Sequence, residues 1–185
     1  MAWIEVLERE NAQGQLSEIY DEVSRKRGGI ANVYKIHSMN PPTLKAHLEL
    51  YMSLLYRKGG LSRAQREMIA VTVSALDQCG YCVVHHSEAL ARYVKSTETL
   101  KSLRQDYRET DLPEKERAML DYCAKLTMNP YEMRERDVEE LRTTGFTDSE
   151  ILDINLITSY FNFVNRVVLG LGVELEADRE RDYRY

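Results

Sequence analysis

Cys79-Gly80-Tyr81-Cys82 places two thiols three residues apart, and His86 follows the second by four residues. On a helix, Cys79 and His86 both fall within about 60° of Cys82 around the axis, so the three side chains share a face. Two cysteines at this spacing can close a disulfide across one turn, and a histidine on the same face supplies a base. That is the minimum equipment for thiol redox chemistry. His85 lies about 60° to the other side of Cys82 and points away from the other two. Asp77-Gln78 reads as the break before this helix, which puts both cysteines in or near its first turn. There the unpaired N–H groups and the helix dipole favour a thiolate, and a protonated His86 would lower the pKa of Cys82 further.

Glu67 precedes Cys79 by twelve residues, at the start of the most apolar run of the chain, Met68 to Leu76. If the chain reverses near Asp77, Glu67 lies about 15 Å before the turn and His86 about 13.5 Å after it, at the standard helical rise. The two side chains then lie side by side on antiparallel helices. A carboxylate in that place orients the imidazole and raises its basicity, giving a relay from Glu67 through His86 to Cys82. Cys82 is one turn from His86 and Cys79 about two. Base reach therefore makes Cys82 the attacking thiol and Cys79 the resolving one, unless the helix start makes Cys79 the more acidic.

The elements that must hold this set are helical. The chain has 185 residues, 43% of them hydrophobic, enough for a single domain with its own core. Four Pro and nine Gly favour long helices over a turn-rich β fold, and no period-2 run with hairpin turns is present. Amphipathic helices are expected over Leu16 to Arg25, ended by Gly28-Gly29, and over Thr43 to Tyr56 after Pro41-Pro42. Ser62 with Gln65 forms a capping box for a third helix running to about Leu76. A fourth carries the cysteine motif and reaches about Val94. Asp111-Leu112-Pro113 starts another, with Pro at its first position, which stops before Asn129-Pro130. Arg134 to Thr143 ends at Gly145, and a second capping box, Thr147 with Glu150, opens a long apolar helix through Val164. The pattern predicts one all-α domain of seven to nine helices. Residues 1–60 form its N-terminal helices, 61–110 the redox-motif pair, 111–175 a second helical half, and 176–185 a charged, solvated tail. Leu61 to Ile69 also aligns with Leu112 to Leu120, as an internal duplication would, and in the second copy Ala118 stands at the place of Glu67.

The net charge of −5 leaves no basic surplus for nucleic acid. No run is long enough to span a membrane, and the first residues do not read as a signal peptide. Three cysteines are too few, and odd in number, for a secreted disulfide scaffold, so a reducing cytoplasm is the expected location. Cys123 on an apolar face reads as core, while His37 and His47 lack a partner pattern and read as packing or surface residues.

The spacing Glu-x11-Cys-x2-Cys-x3-His resembles the active-site signature of the alkylhydroperoxidase D-like family, within the carboxymuconolactone decarboxylase superfamily. Arg66-Glu67-Met68-Ile69-Ala70 and Asn162-Phe163-Val164-Asn165-Arg166 resemble its peroxidase-related branch. The resemblance covers nearly the whole chain. It implies an AhpD-like helical fold, a peroxidatic Cys82, a resolving Cys79, and Glu67 and His86 as the groups assisting deprotonation. It also implies a thiol-dependent peroxidase needing no cofactor and no metal, reduced by an external dithiol such as a lipoyl-bearing protein, and assembled as a homo-oligomer, a trimer or hexamer. The family's best-known members carry a His immediately before the second cysteine, where this chain has Tyr81. Tyr81, His85, Asn162, Asn165 and Arg166 are the candidate supporting residues. Two other readings stand beside the peroxidase. One is a decarboxylase or isomerase of small lactones, whose chemistry does not call for the Cys pair. The other is a non-enzymatic zinc-binding or redox-sensing module using Cys79, Cys82 and His86.

Overall fold

Capping residues and apolar stripes divide the chain into helices close to those the sequence predicts. The computed structural model describes residues 2–176; the charged tail expected over 176–185 lies, from 177 on, outside the described residues. In order these are α1 (Gly14–Arg27), α2 (Asn32–Lys35), α3 (Pro41–Tyr56), α4 (Arg63–Leu76), α5 (Gly80–Leu90), α6 (Thr97–Gln105), α7 (Glu114–Met128), α8 (Glu135–Thr143) and α9 (Asp148–Gly170). Short 3₁₀ turns precede α1 and link α6 to α7 and α7 to α8, and no strand occurs among the described residues, so the fold is all-α. Helix α5 stops at Leu90 rather than Val94, where Tyr93 and Val94 turn back onto the Leu90 carbonyl. Pro113 is the N-cap of α7, not its first helical residue. The four-residue α2 is too short to carry an apolar period, and α6, amphipathic and capped by Ser96, is a helix not among those expected from the sequence.

The chain divides into two compact units, one built from the segments up to Met52 and from Val167 on, the other from Ser53–Arg166. The boundary falls inside α3 and α9. In the first unit Leu16, Ile19, Tyr20 and Val23, at i, i+3, i+4 and i+7 of α1, bury with Ala31, Tyr34 and Leu44. Gly28, at φ 81°, supplies the left-handed residue that ends α1. His37 and His47 prove to be partners: their rings meet edge to face at 4.8 Å, with Nδ1 of His47 3.4 Å from Nε2 of His37. Burial, and then His37, push His47 down to about 3. Between that value and the ordinary 6.5 the unfolded chain binds a proton that the folded chain refuses. Stability from this site is thus complete above pH 6.5 and is lost as pH falls, by about 1.4 kcal/mol per unit. Urea unfolding at pH 7.5 and 5 is expected to show a smaller loss for His47→Gln than for the parent; equal losses would contradict it.

The second unit is organised around α4, whose residues Arg66 to Ser74 are all buried. It packs against α5, α6 and α7, and α7 packs against α8. The Ser62–Gln65 capping box that starts it is present. Arg66 is 1% exposed and survives burial through four acceptors: the carbonyls of Leu61, Leu54 and Gly59, and Oδ2 of Asp153. Asp153 also takes Arg57 at 2.5 Å. Removing one partner of a buried ion pair strands the other, which costs about 3–5 kcal/mol. Asp153→Ala is therefore expected to lower the unfolding free energy by roughly that amount in chemical denaturation; a loss below about 1 kcal/mol would show that the Arg66 charge is not held this way. Arg117, the counterpart of Arg66 in the aligned segments, likewise donates to carbonyls of the preceding loop, Tyr107 and Thr110. Each arginine reaches the carbonyl seven residues before it, Gly59 or Thr110, a structural echo of the sequence repeat.

Candidate functional site

The turn between α4 and α5 sets the position of the dithiol. Gln78 N–H bonds to the Ala75 carbonyl and Cys79 N–H to the Ser74 carbonyl at 2.9 Å, closing α4 with the bond pattern of a Schellman motif. The left-handed position of that motif is filled by Gln78, at φ 56°, rather than by glycine. A left-handed non-glycine residue costs about 1–2 kcal/mol. With no glycine to mark it, the form of this turn was not visible in the sequence, although its location at Asp77-Gln78 was. Cys79 is at once the last residue of the α4 turn and the N-cap of α5. Its side chain makes no capping hydrogen bond, but the N–H groups of Tyr81 and Cys82 at the helix start favour negative charge on its sulfur.

Cys79 and Cys82 are both buried and reduced, and their sulfurs share a hydrogen bond. The two thiols are unequal. Cys79 is held below the usual thiol range, first by the hydrogen bond from Cys82 and then by the N–H groups at the helix start, against burial and Asp77. Cys82 is pushed well above it by the same bond, by burial and by the charge on Cys79. The sequence led to the opposite expectation, a lowered Cys82. The difference arises first from the hydrogen bond that Cys79 accepts from Cys82 and then from the N–H groups at the start of α5, while Cys82 lies one turn deeper. Of the two thiols Cys79 is favoured to ionise first and Cys82 to keep its proton.

Across the helix pair, Glu67 and His86 lie side by side: Nδ1 of His86 is 2.7 Å from Oε2 of Glu67. Glu67 is fully buried. Burial alone would push its carboxyl up, but the charge and hydrogen bond of His86, and then those of Arg63, outweigh it and hold Glu67 below the usual carboxylate range. The stability this ion cluster contributes is intact above that range and is lost only as pH falls through the depressed pKa. With Nδ1 engaged by a carboxylate, the Nδ1–H tautomer is favoured and Nε2 is the nitrogen left for other chemistry. The edge of the Phe161 ring, 4.6 Å away by centroids, closes the other side of His86.

Of the candidate supporting residues, Asn165 reaches the dithiol turn. It is fully buried, accepts from the Ser74 hydroxyl at 3.1 Å and donates to Asp77 at 2.9 Å. The Ser74 hydroxyl is also within hydrogen-bond reach of Cys82. Arg166 is mostly exposed, 3.6 Å from Asp77, and donates to Asn162, which is itself tied to Thr127. Tyr81 and His85 are buried and stack on each other, 4.5 Å between centroids, as i and i+4 residues of α5. Cys123 lies elsewhere, fully buried, 3.1 Å from the Thr158 hydroxyl. Among the described residues no three His, Cys, Asp or Glu side chains are disposed to hold a metal ion. No helix among them is long and apolar enough to cross a membrane. Arg63 and Ser74 were not singled out in the sequence, and Asp77 only as the break between the two helices. Only Arg63 carried a signal, its i, i+4 spacing to Glu67.

Known proteins give this arrangement a context. Residues 41–120 match the model of the carboxymuconolactone decarboxylase family. The crystal structure of an alkylhydroperoxidase AhpD core, a peroxidase-related protein from Ralstonia eutropha, is 33% identical to the chain. The match covers 96% of this chain and 93% of that one, with a TM-score of 0.86. A peroxidase-related protein from a Silicibacter species is 31% identical over 99% of this chain and 96% of its own, with a TM-score of 0.88. The YdfG protein of Bacillus subtilis is 25% identical over 118 residues, 63% of this chain and 79% of that protein.

Proposed function

Because this chain belongs to the carboxymuconolactone decarboxylase family, among its alkylhydroperoxidase D-like members, we propose that it is a thiol-dependent peroxidase that reduces hydroperoxides through a Cys79–Cys82 dithiol–disulfide cycle. The observation that carries this reading is the buried Glu67–His86 contact at 2.7 Å, on the helix pair that carries the dithiol. A carboxylate-oriented imidazole one helical turn from a protonated thiol is an arrangement for removing that proton.

In the proposed cycle Nε2 of His86 accepts the proton of Cys82 while Glu67 stabilises the imidazolium. The Cys82 thiolate attacks one oxygen of the hydroperoxide. The S–O bond forms, the O–O bond breaks, and the leaving alkoxide takes the proton back from His86 as an alcohol. Cys82 is now a sulfenic acid. Cys79, already favoured as a thiolate at the start of α5, attacks the Cys82 sulfur. The S–S bond forms and hydroxide leaves, taking a proton as water. An external dithiol, of the lipoyl type or another, returns two electrons and two protons to complete the cycle. On this reading the inequality of the thiols assigns roles: the acidic Cys79 is primed to resolve, and Cys82 depends on the relay to attack. Asn165 and Ser74 support the Cys82 sulfur, and the Tyr81–His85 stack fixes the first turn of α5.

The decisive variant is Cys79→Ser, assayed with hydrogen peroxide or cumene hydroperoxide and dihydrolipoamide. It is expected to perform one turnover and stop with a sulfenic acid on Cys82, read as a dimedone adduct in mass spectrometry. An adduct absent from Cys82, with Cys82→Ser instead oxidised at Cys79, would reverse the assignment.

A further inference from the structure

Glu67 has two carboxylate oxygens, and only one serves His86. The other accepts from Nη2 of Arg63 at 2.5 Å, four residues earlier on α4. The guanidinium is itself fixed. Its Nη1 donates to the Leu55 carbonyl at 2.7 Å, and its plane lies 3.8 Å from the centroid of the Tyr56 ring. The Arg63 side chain is 16% exposed, so this pairing sits largely out of water. Glu67, at 0%, is sealed from bulk water.

The groups facing this carboxylate can be named. From its own helix comes Arg63 and from α5 comes His86. Cys82 and Cys79 stand one and about two turns before His86 in the same motif. Helix α9 offers Phe161, an uncharged ring edge, while its Asp153 is engaged by Arg57 and Arg66. Arg66, next to Glu67 in sequence, is committed to that Asp153 and to backbone carbonyls. Arg63 is therefore the fixed cation in contact with Glu67.

We infer that Arg63 is the positioning residue of the relay, pinning one oxygen of Glu67 and so presenting the other, ionised, to Nδ1 of His86. The inference rests on the relay reading above and adds the group that maintains it. Lysine keeps the charge and can reach an i+4 carboxylate, but it cannot also span to the Leu55 carbonyl as the planar fork does. Glutamine keeps a donor and loses the charge.

The test is a ¹³C NMR titration of the Glu67 carboxyl, with ¹⁵N spectra of His86, in the parent, Arg63→Gln, Arg63→Lys and Glu67→Gln proteins. Removing a cation in contact with a carboxylate raises its pKa by about 1–3 units. In Arg63→Gln the Glu67 midpoint should rise by that amount and His86 should lose its fixed Nδ1–H tautomer. Peroxide consumption should fail at acid pH in step with the new Glu67 midpoint. Arg63→Lys should restore the midpoint to within about half a unit of the parent. A purely structural role would lower stability in both variants and leave both signatures in place. An unmoved Glu67 midpoint in Arg63→Gln, with Glu67→Gln still inactive, overturns the role of Arg63 and leaves the relay standing. Full activity in Glu67→Gln overturns the relay and this inference with it.

Discussion

Cys82→Ser is expected to consume no peroxide at all, while folding as well as the parent. The hydroxyl of serine is far too weak an acid for His86 to deprotonate as it would a thiol, and an alkoxide cannot cycle through a sulfenic acid. Serine is close in volume to cysteine, and the Cys82 pocket already holds a hydroxyl, that of Ser74. The cost in stability should therefore stay below about 1.5 kcal/mol. The serine hydroxyl can still donate the hydrogen bond that Cys79 accepts, so Cys79 remains the readily ionised thiol. Any residual oxidation should thus appear on Cys79 alone and should not turn over. Peroxide consumption above about one hundredth of the parental rate would mean that Cys82 is not the attacking thiol.

Glu67→Gln is expected to slow peroxide consumption by about 10²–10⁴-fold, the range for losing an oriented general base. Glutamine preserves size, and its amide oxygen can still accept from Nδ1 of His86. It cannot stabilise the imidazolium that forms when Nε2 takes the thiol proton. It also leaves Arg63 largely buried beside a neutral group, so some stability is lost as well. The two effects are separable: urea unfolding reads the second, and single-turnover sulfenic acid formation by folded protein reads the first. A decrease of less than tenfold in that single turnover would show that the carboxylate serves packing and charge balance, not proton transfer.

Most of this arrangement was legible because it depends on short-range geometry. The i, i+3 and i+4 spacings around Cys82 and the capping box at Ser62 require only helical periodicity. The pairing of Glu67 with His86 follows once the chain is assumed to reverse near Asp77, because the two residues stand at nearly equal distances from the turn. What could not be read depends on the turn itself and on distant chain. Gln78 takes a left-handed conformation usually left to glycine, so nothing in the sequence announced that Cys79 would cap α5. The hydrogen bond from Cys82, and then the N–H groups at that cap, favour Cys79 over Cys82 as the more acidic thiol. The contact of Asn165 with Ser74 and Asp77 joins residues about ninety positions apart and required the structure. His37, in the turn after α2, and His47, ten residues on in α3, gave no periodic signal for their pairing.

The account stands most directly on one measurement. The fully reduced protein is treated with one equivalent of hydrogen peroxide, quenched with an alkylating agent, and mapped by mass spectrometry under non-reducing conditions. The expected result is a Cys79–Cys82 disulfide formed in proportion to the peroxide added, with Cys123 alkylated only after denaturation. Recovery of Cys79 and Cys82 as free thiols with the peroxide unconsumed would contradict the central claim.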